Sequence, residues 1–305
     1  MEVNNFINLQ HTNARYDLSV IVIFYNMRRE GKRTLHSLTK AYQQNTDEIS
    51  YEVIAIDNGS AQPLNKAWVE SLGENFRYIY FDAKTGSPCE ALNYGAQIAR
   101  GDLISPCIDG ARIFSPGIVY YSMLASRIYK NPFIYTLAMH IGYKPQPYLA
   151  EENYSQTDED LLMDTIEWEH DGYSLFDISS LALSSGNGYF SNLYESNCMT
   201  MRLSTYQKMG GFDESFKSAG GGLANLDFFN RMNMIDDINP VILLGEATFH
   251  QFHGGTATNV PLKDNLWGKM AEEYQTIRGI PFELYFRSPI YFGNLHPKCY
   301  QLLKA

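Results

Sequence analysis

Apolar residues in the first hundred positions fall in short runs separated by polar, turn-forming stretches. "SVIVIFY" (19–25) is apolar at consecutive positions, as expected of a strand covered on both faces inside a parallel sheet. A helical stretch follows, with Leu35, Leu38, Ala41 and Tyr42 spaced for one face. The alternation repeats through "YEVIAIDNGS" (51–60), a helix after Pro63, "FRYIYFD" (76–82), a helix across "PCEALNYGAQIA" and "DLISPCID" (102–109). Strands alternating with helices of about 10–15 residues predict an α/β fold, a wound and mainly parallel sheet flanked by helices.

After residue 115 the pattern changes. "PGIVYYSMLASRIYK" predicts a helix with Pro near its start, and "PFIYTLAMH" another strand. Residues 144–180 hold "EENYSQTDEDLLMDTIEWEHDG", which reads as a solvated insertion with one helix. Regular structure resumes with "SNCMTMRL" (196–203), "GGFDESF" (210–216), a helix from Leu223 to Met234 and "VILLGEATFHQFHGG" (241–255). A last helix over "DNLWGKMAEEYQTIRG" ends at Gly279. No repeat or low-complexity linker divides the chain.

Composition narrows the partners. The 305 residues are 45% hydrophobic and 19% charged, enough for one large core or two small ones. A net charge of −10 argues against nucleic acid or an acidic membrane surface. No stretch approaches the ~18 apolar residues of a membrane span. The N-terminus lacks the basic start, apolar stretch and cleavage site of a signal peptide, so the expected location is cytoplasmic, or peripheral at the inner membrane face. The four cysteines, at 89, 107, 198 and 299, form no CxxC pair; Cys107 reads as a small core residue, and neither zinc nor a disulfide framework is expected.

Ligands of wound sheets bind at the carboxyl ends of the strands. Three strands here end in an acid or amide: Asn26, Asp57 with Asn58, and Asp109. One such residue reads as a turn or cap, whereas three at successive strand ends point to a polar ligand. "FYNMRREGK" has no GxGxxG, which disfavours a dinucleotide, and no GxxxxGK[ST] or GxSxG occurs.

The order of segments from about residue 18 to 255 resembles the family 2 glycosyltransferases with the GT-A fold. "SVIVIFYN" resembles the family's opening strand, with Phe24, Tyr25 and Asn26 at its end, and "VIAIDNGS" is similar to the motif whose acid, here Asp57, meets the nucleotide base. "EALNYGAQIARGDLI" supplies Asn93 and Gly95 of an Asn-x-Gly, and "IDGAR" falls where the metal-binding Asp-x-Asp lies. "GGFDESF" and "ANLDFFNR" resemble the acceptor-side motifs, matching Asp213, Glu214, Asp227 and Arg231. Two positions depart from the pattern: Ala111 replaces the second metal acid, and Asn225 replaces the acid that serves as catalytic base.

The resemblance implies a domain over residues 1–258, with a nucleotide-binding half to 110 and an acceptor-side half from 111, then a C-terminal helical extension over 259–305. It implies an inverting transfer from a nucleoside-diphosphate sugar, UDP-sugars favoured, to a glycan or lipid-linked acceptor hydroxyl, in surface polysaccharide or glycoconjugate synthesis. A divalent metal, Mn²⁺ or Mg²⁺, would rest on Asp109, and His250 and His253 either add ligands or only pack. Arg112 either offsets diphosphate charge or faces solvent. Asn225 cannot accept a proton at neutral pH, and Asp227, two positions on, faces elsewhere and pairs with Arg231. The base is unassigned among Asp213, Glu214 and Asp227, so the rival reading is a weak or inactive relative that binds sugar nucleotide or glycan. A nucleotidyltransferase would need a Gly-rich loop after the first strand, which "NMRREGK" does not provide.

Overall fold

The computed structural model describes residues 16–255 and 258–303. The N-terminal stretch without a signal-peptide pattern lies, up to residue 15, outside them. The first half runs β1 (Tyr16–Phe24), α1 (Arg28–His36), β2 (Tyr51–Asp57), α2 (Lys66–Ser71), β3 (Phe76–Tyr80), α3 (Cys89–Ile98), β4 (Gly101–Cys107) and β5 (Arg112–Phe114). Then come α4 (Ile118–Ile128), β6 (Pro132–Ile141), α5 (Gln146–Glu151), α6 (Gln156–Met163), β7 (Ser179–Leu181), β8 (Met199–Arg202), α7 (Leu203–Lys208) and α8 (Ala224–Asn233). The chain continues through β9 (Asn239–His250), α9 (Trp267–Arg278) and β10 (Ile290–Gly293).

The main path of the sheet runs β10-β9-β6-β8-β4-β1-β2-β3. Pairing is parallel between β4, β1, β2 and β3 and again between β6, β9 and β10, while β8 is antiparallel to both neighbours. The unbroken apolar run of β1 has the expected cause. Ile21 and Ile23 pack on the face that holds Leu92 and Ala96 of α3, and Val20 and Val22 on the face that holds Leu35 and Val69.

Three expectations change. The helix after β1 ends at His36, and Leu38 and Tyr42 are buried from turns while Ala41 is exposed. Apolar spacing reports burial, and a series of turns satisfies it as well as a helix. The acidic insertion holds two α-helices rather than one, and although most of its acids are exposed as expected, two of them pack against α1. Glu159 of α6 is buried against Arg29 at 3.0 Å, and Asp160 takes both Arg29 (2.7 Å) and Arg33 (2.5 Å) of α1. The C-terminal segment carries a strand as well as α9, because β10 pairs with β9. Gly279, at φ 72°, closes α9 in the left-handed conformation that glycine permits.

Candidate active site

Since β2, β1 and β4 are adjacent and parallel, their carboxyl ends meet at one edge. Asn26 turns the chain there at φ 54°, a left-handed conformation that Asn tolerates better than most residues. Its N–H donates to Ser60 Oγ (2.7 Å) and its Oδ1 accepts from Ala61 N–H (3.0 Å). Above the edge lies a cleft of about 1010 Å³, whose walls include Tyr25, Asn26, Asn58, Asp109, Arg112 and His253.

At the end of β4, Asp109 meets His250, the last residue of β9. His250 Nε2 lies 2.9 Å from Asp109 Oδ2, and His253 Nε2 lies 3.9 Å from Asp109 Oδ1. The tautomer of His250 follows from its neighbours. Gln146 Nε2 donates to the His250 carbonyl, which turns Gln146 Oε1 towards His250 Nδ1. Asn259, whose Oδ1 accepts from the backbone of His253 and Gly255, donates to the same Gln146 oxygen. The Nδ1 of His250 must therefore carry the proton, which leaves Nε2 as a bare lone pair aimed at a carboxylate. Burial, stronger than the pull of Asp109, pushes His250 down to about 4, so its ring is neutral at pH 7.

Two acceptors at 2.9 Å repel unless a cation lies between them. The Asp109, His250 and His253 ligand atoms all lie within 4.8 Å of one another, so a divalent ion fits this set. Two imidazoles favour a transition ion such as Mn²⁺ over Mg²⁺. Arg112 is the other cation here. It is 5% exposed, with Nε 3.4 Å from Asp109 Oδ2, and its Nε and Nη1 have no hydrogen-bond partner. The guanidinium therefore faces inward to the cleft rather than solvent. Ala111 is fully buried and absent from the cleft wall, so an acid at 111 would be placed in the core.

Several expected contacts lie elsewhere. Phe24 is fully buried in the core, and only its carbonyl, accepting from Asn58 N–H at 2.7 Å, reaches the loops. Asp57 is 1% exposed, and its two oxygens accept from the Ser60 (2.9 Å) and Leu64 (3.0 Å) N–H groups, so it shapes the loop after β2. Asn93 donates to the Phe212 carbonyl and to Glu214, both at 2.8 Å, and pins the turn before α8. Asp227 is buried between Arg231 and Arg278, each at 2.7 Å, and Asp213 also pairs with Arg278. Among the described residues, none of Asp57, Asn93, Asp213, Glu214 and Asp227 lines the cleft.

Asn225 does line it, near the start of α8. Its Nδ2 donates to Glu195 Oε2 (2.7 Å) and to the Ser196 carbonyl (3.1 Å). Glu195, also on the cleft wall, escapes the sequence reading because no spacing links 195 to 225. The available signal was an acid just ahead of the apolar run "NCMTMRL". His140 at the end of β6 was missed too; its Nδ1 accepts from Gln146 N–H (2.9 Å), leaving an Nε2–H donor in a neutral ring. The cleft lining also includes the apolar Leu183, Trp267, Met270 and Phe282.

A mostly parallel sheet with this cleft at its carboxyl edge defines an α/β protein of the GT-A type. The glycosyl transferase family 2 profile matches residues 19–174, just over half of the chain. The chain belongs to glycosyl transferase family 2. A search of curated proteins found no match. Similar solved structures include S. aureus TarS, at TM-score 0.50 and 13% identity over 77% of this chain and 36% of that one. Another is TarS 1–349 in complex with UDP, at TM-score 0.51 and 13% identity over 77% of this chain and 60% of that one. The likeness is one of fold, and this chain spans less than two thirds of either structure.

Proposed function

We propose that the chain transfers a sugar from a nucleoside-diphosphate donor, a UDP-sugar by preference, to an acceptor hydroxyl with inversion at the anomeric carbon. The observation that carries this reading is the arrangement at the end of β4: a buried Arg112, ion-paired with Asp109 but with Nε and Nη1 lacking a hydrogen bond, beside His250 and His253, with Asp109, Arg112 and His253 on the wall of one cleft. Unsatisfied guanidinium donors in a dry site call for an anion with several oxygens, and a diphosphate supplies them. Tyr25, 55% exposed at the cleft, offers a ring on which a base can stack, and Asn58 and Asn26 offer amides for ribose. A divalent ion on Asp109, His250 and His253 would, when bound, offset the charge of the departing diphosphate. Arg112 contributes the same offset from the chain itself, and His140 adds a neutral donor.

The UDP complex of a protein with the same fold supports the nucleotide choice. The apolar part of the lining supports an acceptor that brings an apolar group beside its hydroxyl, a lipid-linked glycan being the proposed class. A role in surface polysaccharide or glycoconjugate synthesis, in the cytoplasm or at the inner membrane face, is part of the same reading. No helix among the described residues is long and apolar enough to cross a membrane. Ala111 and Asn225 favour the rival, a binding-only relative. The two separate by nucleoside-diphosphate release from a panel of UDP-, GDP- and dTDP-sugars with Mn²⁺ present. Release from a UDP-sugar is the expected result; nucleotide binding with no release from any donor would establish the rival.

A further inference from the structure

We propose that Glu195 is the general base of the reaction, so that the acid missing at position 225 is supplied from the neighbouring strand end. The inference rests on the glycosyl-transfer reading above. The topology places it. β8 runs antiparallel to β4, with Ile104 opposite Met201, so the chain entering β8 arrives at the edge where β4 ends near Asp109. Glu195 and Asn197 thus join the cleft that the carboxyl ends of the parallel strands border. Among the described residues, Asp109 and Glu195 are the acids on the cleft wall. Asp109 faces His250 and Arg112 at the diphosphate end, and Asp213, Glu214 and Asp227 are engaged off the cleft. Glu195 is the acid left for the acceptor.

Its contact with Asn225 explains both residues. The Asn225 amide cannot be reversed, because its oxygen would then face the Glu195 carboxylate and the Ser196 carbonyl. The amide therefore donates to Oε2 and orients the carboxylate, and among the described residues no donor takes Oε1. An aspartate at 225 would put two carboxylates in contact, and such a pair tends to share one proton, with one of the two pKa values raised. With Glu195 present, Asn is the side chain at 225 that leaves a single ionised base. The step balances: Glu195 takes the acceptor's hydroxyl proton as the acceptor oxygen bonds to the anomeric carbon. The bond from that carbon to the phosphate oxygen breaks, and its electron pair leaves with the nucleoside diphosphate. Water in place of the acceptor gives donor hydrolysis by the same step.

The test uses the full chain, UDP binding by calorimetry, and UDP release from UDP-sugars across pH. Glu195→Gln should leave UDP affinity unchanged, which also shows the site folded, while lowering turnover roughly 10²–10⁴-fold. Asn225→Asp alone should move the acid limb of the pH–rate profile upward, as one proton is shared by two carboxylates. Glu195→Gln with Asn225→Asp should recover at least about tenfold over Glu195→Gln, because the acid returns on the other side of the same contact. Turnover unchanged in Glu195→Gln would overturn the inference alone, whereas a wild type that binds UDP yet releases none from any donor would establish the binding-only rival and remove the glycosyl-transfer reading with it. A protein that binds no UDP would remove the glycosyl-transfer reading itself, and this inference with it.

Discussion

Arg112 is buried without its full set of partners, which ordinarily costs a protein stability. Among the described residues, Asp109, at 3.4 Å, is the acid that compensates it. A phosphate oxygen within reach would complete the guanidinium, so Arg112 should matter most when no metal shares the charge. In EDTA, Arg112→Ala should weaken UDP binding by roughly ten- to a hundredfold, matching about 1.5–3 kcal/mol for a hydrogen bond to a charged group. Equal affinity for variant and wild type in EDTA would mean that Arg112 serves Asp109 alone. "IDGAR" made Asp109 and Arg112 legible, because an acid at the end of an apolar run marks a sheet's ligand edge. Asp57 and Asn93 misled for the opposite reason. Asp57 accepts from backbone N–H groups, which every residue carries, and Asn93 bonds residues more than a hundred positions away, which no local side-chain pattern reveals.

The same contrast holds for whole elements. β1, β2 and β4 were readable from continuous apolar runs, and α9 from its terminal glycine. β8, four residues long, gave no hint of its antiparallel direction, and with it went the position of Glu195. Most acids of the insertion are solvated, but charge read without partners hid two that are not: Glu159 and Asp160 brace α1, and Glu159 Oε2 also accepts the Phe252 N–H (2.6 Å) beside His253. β9 carries a second buried acid far from this brace. Glu246 accepts from Tyr173 Oη (2.7 Å), Ser115 Oγ and Gly117 N–H (3.1 Å), tying β9 to the start of α4. Burial outweighs these donors and pushes Glu246 up to about 7 from the ordinary 4.5. The folded chain then holds a proton that the unfolded chain releases between those values. Glu246 thus lets stability fall as pH rises from about 4.5 to about 7 and level off above, by at most about 1.4 kcal/mol per pH unit. Glu246→Gln, uncharged at every pH, should flatten that fall in urea midpoints taken at pH 5 and pH 8. A variant whose midpoints decline in parallel with wild type would show that other groups set the pH dependence.

At the scale of the molecule, the sheet concentrates opposing chemistries at one edge. The parallel strands β1 and β4 bring Asn26 and Asp109, β5, antiparallel to β9, brings Arg112, β9 and the loop after it bring His250 and His253, and the chain entering the antiparallel β8 brings Glu195. The C-terminal segment adds Trp267 and Phe282 to the lining. A chain of net charge −10 needs such a local focus of cation and neutral histidines to admit a polyanion at all. The central claim is that this edge holds a nucleoside diphosphate, and calorimetric titration of the wild type with UDP, in Mn²⁺ and then in EDTA, tests it most directly. Binding should appear in both conditions and be tighter in Mn²⁺; no heat of binding at millimolar UDP in either would contradict the account.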